Sequence, residues 1–185
     1  MKNSLRPAAP GDASGLTSGA SFTLYSPDIK ANALIPKRFE FDGFGCSGEN
    51  RSPALKWSGA PKDTKAFAVT VYDPDAPSGS GWWHWMVINI PADVNELAAN
   101  AGAVGGGNLP KGASQARIDY GVAGWGGVCP PPGDEPHRYI FTVYALKDKI
   151  DVPADATAAL TGFMINGNCL GKASFTAKYG RPKID

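Results

Sequence analysis

Seven consecutive residues, Ala66-Phe67-Ala68-Val69-Thr70-Val71-Tyr72, form a near-continuous apolar run with the length and β-branched content of a strand buried on both faces. Dense turn chemistry stops it at Asp73-Pro74-Asp75-Ala76-Pro77-Ser78-Gly79. A second strand follows from Trp82 to Ile90 and ends at Pro91. With period-two alternation, its His84, Met86, Ile88 and Ile90 fall on one face. From Ala98 to Gly127 the chain is rich in glycine and polar residues, which predicts long loops with one short strand at Ala116 to Tyr120. Arg138 to Leu146 reads as an aromatic and β-branched strand, with His137, Tyr139 and Phe141 on one face. Cys169 to Tyr179 alternates cleanly: Ala173, Phe175, Ala177 and Tyr179 face inward, and Lys172, Ser174, Thr176 and Lys178 face water.

One stretch has helical rather than strand periodicity. Asp155 to Ile165 offers Asp155 as N-cap, an apolar stripe at Leu160, Phe163 and Met164, and an Asn166-Gly167 stop. The sum is a mainly β protein: an antiparallel β-sandwich with long loops and one or two short helices. The folded unit is a single domain over residues 22–185, with a short strand at Phe22 to Tyr25. Residues 1–21, rich in Ala, Gly, Ser and Pro, read as a flexible or appended tail.

Composition narrows the function classes. The chain has 185 residues, 18 Lys+Arg against 17 Asp+Glu, and a formal net charge of +1, without the basic footprint of a nucleic-acid binder. No apolar run approaches the roughly 18 residues of a membrane span. Cys46, Cys129 and Cys169 lie far apart with no zinc spacing, so no metal site is expected. Two readings of them stand side by side: three reduced, buried thiols, or one long-range bridge between the loop residues Cys46 and Cys129. The bridge implies an oxidising compartment.

The candidate chemistry gathers at loop ends. Both histidines of the chain, His84 and His137, sit near strand starts beside Gly/Pro loops, where function concentrates. Asp73 and Asp75, spaced by Pro74, are expected to project to the same side, one orienting an imidazole and the other lining a pocket. Tyr139 adds a hydroxyl, Gly126 and Gly127 offer backbone amides as an anion nest, and Trp83 can wall the site. Arg138 alternates away and is not counted as a ligand. Two carboxylates repel an anion, so one histidine must be protonated or the carboxylates must be tied up by donors. Binding is then weak and falls as pH rises through the histidine range.

These motifs in combination resemble the phosphatidylethanolamine-binding proteins, also called Raf-kinase-inhibitor-like proteins. The resemblance rests on Asp73-Pro74-Asp75-Ala76-Pro77 with Ser78, on Trp83-His84-Trp85 leading to Asn89-Ile90-Pro91, on Cys129-Pro130-Pro131-Pro132-Gly133 leading to His137-Arg138-Tyr139, and on Asn50 to Trp57. It spans about Phe22 to Arg181. It implies a β-sandwich whose anion pocket is lined by Asp73, Asp75, Trp83, His84, Pro131, His137 and Tyr139. The implied ligand is a phosphate-like anion or phospholipid headgroup, with no cofactor and no turnover. A protein kinase or a protease is the implied partner, and a homodimer is compatible with it. The chain looks closest to the bacterial, periplasmic type, which supports the Cys46–Cys129 bridge; a cytoplasmic location is the alternative. Two features depart from the family pattern. Little chain follows Tyr179 where eukaryotic members have a pocket-covering helix, which weakens the case for a kinase surface of their type. Cys169 is an extra thiol. The competing function is a hydrolase that uses the Asp/His pocket, with or without a metal.

Overall fold

The computed structural model describes residues 21–185, so the expected tail lies almost wholly outside the described residues. Two antiparallel sheets form. Strands β1 (Thr23–Tyr25), β2 (Leu55–Ser58) and β5 (Glu96–Leu97) make a small sheet in the order β1-β2-β5. Strands β3 (Ala66–Asp73), β4 (Trp82–Pro91), β6 (Ser114–Gln115), β7 (His137–Leu146) and β8 (Cys169–Tyr179) make the large sheet in the order β6-β4-β3-β7-β8.

The central strand β3 shows why the apolar run is continuous. Phe67, Val69 and Val71 face the small sheet, packing with Leu24, Leu55, Trp57 and Leu97. Ala66 and Ala68 face the opposite way, toward Tyr144, Leu146 and the helix α1 (Ala158–Gly167). Two cores on the two faces of one sheet leave β3 no solvent side. Strand β8, at the sheet edge, has one core face, and its buried Ala173, Phe175 and Ala177 follow the predicted alternation.

Three expectations are corrected. The strand at Ala116 to Tyr120 is absent; the loop pairs with β4 only at Ser114 and Gln115, and Arg117 then bridges Ala123 in a turn. Helix α1 starts later than predicted. Thr157, not Asp155, is its N-cap, its side chain accepting from the Leu160 N–H at 3.1 Å. Its buried face is Ala158, Thr161, Gly162 and Ile165, while Leu160 and Phe163 are exposed. This face packs over Trp83, whose ring carbons would lie 3.8 and 3.9 Å from a Cβ on Gly162, at ordinary van der Waals contact.

The third correction concerns β4. Its pairing with β3 slips twice, between Phe67 and Val69 and between Val71 and Tyr72. At the second slip Tyr72 faces Trp83 and Val71 faces Trp85, so His84 is the extra residue of a β-bulge. Asn89, with φ of +56°, lies in the other irregular stretch. The bulges break the period-two rule: Met86 and Ile88 stay on the helix side, whereas Ile90 joins the inter-sheet core and His84 turns to the sheet end. The four residues therefore do not share a face.

Candidate functional site

At the sheet end where β3 finishes and β7 begins, a cavity of about 250 Å³ opens. Asp73, His84, His137 and Tyr139 form its polar part; Trp82, Tyr120, Pro130, Pro131 and Phe44 supply most of the apolar wall. Adjacent antiparallel strands bring Asp73 and His137 together across 64 positions of sequence.

His137 donates from Nδ1 to Asp73 Oδ2 at 2.7 Å, and both side chains are almost fully buried. Asp73 Oδ1 accepts the Asp75 N–H at 2.8 Å, the local turn that aspartate before proline favours. On its other side, His137 Nε2 lies 3.0 Å from Asp134 Oδ2. Burial by itself pulls the His137 pKa down, but its two carboxylate partners, Asp73 and Asp134, outweigh it and leave the pKa raised. At Asp73 burial dominates and lifts the carboxyl above its ordinary range, against the downward pull of His137. The two shifts pull apart, since that of His137 favours the imidazolium while that of Asp73 records the cost of its burial; the geometry, with a carboxylate on each ring nitrogen, is what favours the ion pair.

His84 is in a different state. Its Nδ1 is 2.7 Å from the Gly126 carbonyl oxygen, which can only accept, so Nδ1 carries the hydrogen. Complete burial lowers its pKa to about 4. The ring is therefore neutral at physiological pH. It lies edge-on to Tyr139 and Tyr120, with ring centroids 5.2 and 5.7 Å away.

The Gly126-Gly127 pair does not form the expected anion nest. Its two amides are already used, Gly126 N–H by the His84 carbonyl and Gly127 N–H by Asn50 Oδ1, each at 2.8 Å. The carbonyls serve the site instead, accepting from His84 and from the Tyr120 hydroxyl at 2.9 Å. A Cβ on Gly126 would collide with the Tyr120 ring, so glycine is what lets that ring reach the cavity.

Asp75 and Trp83 stand apart from the cavity lining. The turn at Asp73 swings Asp75 across to Arg138, which holds it with its backbone N–H, Nε and Nη2 at 2.9–3.0 Å. The Arg138 guanidinium keeps the Asp75 carboxyl below its usual pKa. The two aspartates thus do not project together as expected. Trp83 packs on Tyr72, 4.4 Å between centroids, on the helix side of the sheet, and Trp82 lines the cavity in its place. Alternation already held the signal for Trp82, which is two residues before His84. Tyr120 and Phe44 lie in loops and had none.

Two donors at this site are left over. The Tyr139 hydroxyl is buried and makes no hydrogen bond of good geometry among the described residues, only a looser contact with the Asp73 carboxylate, and the buried Trp82 indole N–H makes none either. Burial and the negative charge of Asp73 raise the Tyr139 pKa, so the phenol keeps its proton. Cys46 and Cys129 form a disulfide beside the same cavity, which Cys129 lines; Cys169 is a free thiol.

Residues 25–180 match the sequence profile of the phosphatidylethanolamine-binding proteins. This chain belongs to that family. It is 53% identical to the UPF0098 protein YbcL of Escherichia coli over 161 residues, 86% of this chain and 88% of YbcL. Identity to YbhB of the same organism is 47%, over 84% of this chain and 98% of YbhB. The crystal structure of E. coli YbcL, described as a member of the mammalian family, superposes with a TM-score of 0.84 over 89% of this chain and 99% of that one. The chain thus falls in the bacterial branch of YbcL and YbhB.

Proposed function

We propose that this protein is a non-enzymatic binding module that takes a phosphate-type anion, free or as a lipid headgroup, in the cavity between Asp73, His84 and His137. The observation that carries this reading is a cavity that sets the His137 imidazole, flanked by carboxylates on both ring nitrogens, beside the buried Tyr139 hydroxyl, a donor held only loosely by the Asp73 carboxylate. Buried polar groups left unpaired cost about 1–3 kcal/mol, so native sites that keep them are built for something that pairs them. The carboxylates that would repel an anion are tied up, Asp73 by His137 and Asp75 by Arg138. The third, Asp134, is half-exposed, and its carboxylate bonds His137 Nε2 at 3.0 Å. It is the carboxylate that an incoming oxyanion can displace from Nε2.

In this reading the module acts through binding, as a kinase or protease inhibitor or a signalling modulator. The cystine supports an oxidising compartment, which for a bacterial protein is the periplasm. The test follows the ring ¹⁵N signals of the two histidines while inorganic phosphate or phosphoethanolamine is added. The His137 signals should shift saturably, and Tyr139→Phe should weaken binding by roughly fivefold, the worth of one hydrogen bond. If neither imidazole responds to either ligand, the assignment is wrong.

A further inference from the structure

We infer that the cavity selects an anion that carries its own hydrogen-bond donor, and that His84 is the residue that makes the selection. This rests on the anion-binding reading above and narrows it to a chemical class.

The argument is one of donors and acceptors. The Gly126 carbonyl takes the Nδ1–H of His84, so a neutral ring must present Nε2 as a lone pair. The Gly127 carbonyl also acts on this ring, but no hydrogen bond of good geometry to Nε2 is formed among the described residues, and the ring is part of the cavity lining. Across the cavity the His137 imidazolium and the Tyr139 hydroxyl are donors. One end of the ligand must therefore accept and the other must donate. The His84 and Tyr139 rings are only 5.2 Å apart, so both demands fall on one small group or on adjacent atoms.

A fully ionised tetrahedral anion meets the His84 lone pair with another lone pair. Hydrogen phosphate or a phosphomonoester monoanion meets it with P–OH. A phosphodiester meets it only through a second group, such as a neighbouring ammonium. A polar site of this kind rejects an analogue that lacks the required hydrogen far more strongly than an apolar wall would.

Four probes separate these cases by calorimetry on the wild-type protein near neutral pH: inorganic phosphate, sulfate, glycerophosphoethanolamine and glycerophosphocholine. Phosphate tests a P–OH donor, and glycerophosphoethanolamine tests an ammonium donor. At least one of this pair should bind roughly tenfold or more tighter than sulfate and glycerophosphocholine, which offer no comparable donor. His84→Asn keeps a donor for Gly126 and withdraws the acceptor from the cavity. It should bring phosphate down to the affinity of sulfate while leaving sulfate binding intact. Sulfate binding to the wild type as tightly as both phosphate and glycerophosphoethanolamine overturns the inference and leaves the anion site standing. Failure of all four probes to bind overturns both.

Discussion

The two histidines respond to pH in opposite senses. Folding takes the His84 imidazole from 6.5 to about 4, so the unfolded chain binds this proton more readily than the folded one. Stability is therefore lost as pH falls from about 6.5 toward 4, by about 3 kcal/mol in all. His137 has a raised folded pKa, so its contribution is complete below 6.5 and is lost as pH rises through that higher value. Urea denaturation near pH 7 and near pH 4.5 should show the wild type losing about 2–3 kcal/mol more than His84→Asn on acidification. Equal losses would mean that His84 titrates normally. Strand alternation places His137 and Tyr139 on one face, and the same rule carried back from His84 reaches Trp82, a residue not counted among the candidates. Trp83 was preferred on its motif position, and packing against Tyr72 and helix α1 accounts for where it went. Tyr120 could not be read at all, because its place depends on a loop carbonyl and the missing side chain of Gly126.

Among the elements, β3, β7 and β8 were legible because burial on two faces or one writes directly into residue order. Strand β4 was legible as a strand but not in its facing, since a bulge leaves no mark on hydrophobicity. The same bulge is what turns His84 into the site. In helix α1 the large apolar residues misled, because Leu160 and Phe163 face solvent and Ile165 is the large side chain that packs inward. Phe163 is 76% exposed and Ile165 fully buried. Phe163→Ser should thus change unfolding free energy by less than about 0.5 kcal/mol, and Ile165→Ala should cost about 3 kcal/mol. Chemical denaturation of the two variants checks the assignment; the reverse order would restore the predicted stripe.

On the scale of the molecule, the two sheets follow from strand number and composition, while the cavity arises where loops 43–48, 73–81 and 119–134 meet. The Cys46–Cys129 disulfide ties the first of these to the last across 83 positions. Glu40 braces the same loop, accepting from the Ser47 N–H and the Tyr179 hydroxyl at 2.9 Å. Reduction should lower the unfolding free energy by about 4.5 kcal/mol, the chain-entropy value for a loop of this length. Denaturation with and without dithiothreitol measures it, and an unchanged midpoint would remove the cystine from the account. The central claim is that the His137 end of the cavity is an oxyanion site. The most direct measurement is phosphate titration with both histidine side chains observed by ¹⁵N NMR, in the wild type and in His137→Gln. The account predicts one saturable shift at His137 in the wild type and loss of phosphate binding in the variant. Unmoved ring signals, or undiminished binding after His137→Gln, would contradict it.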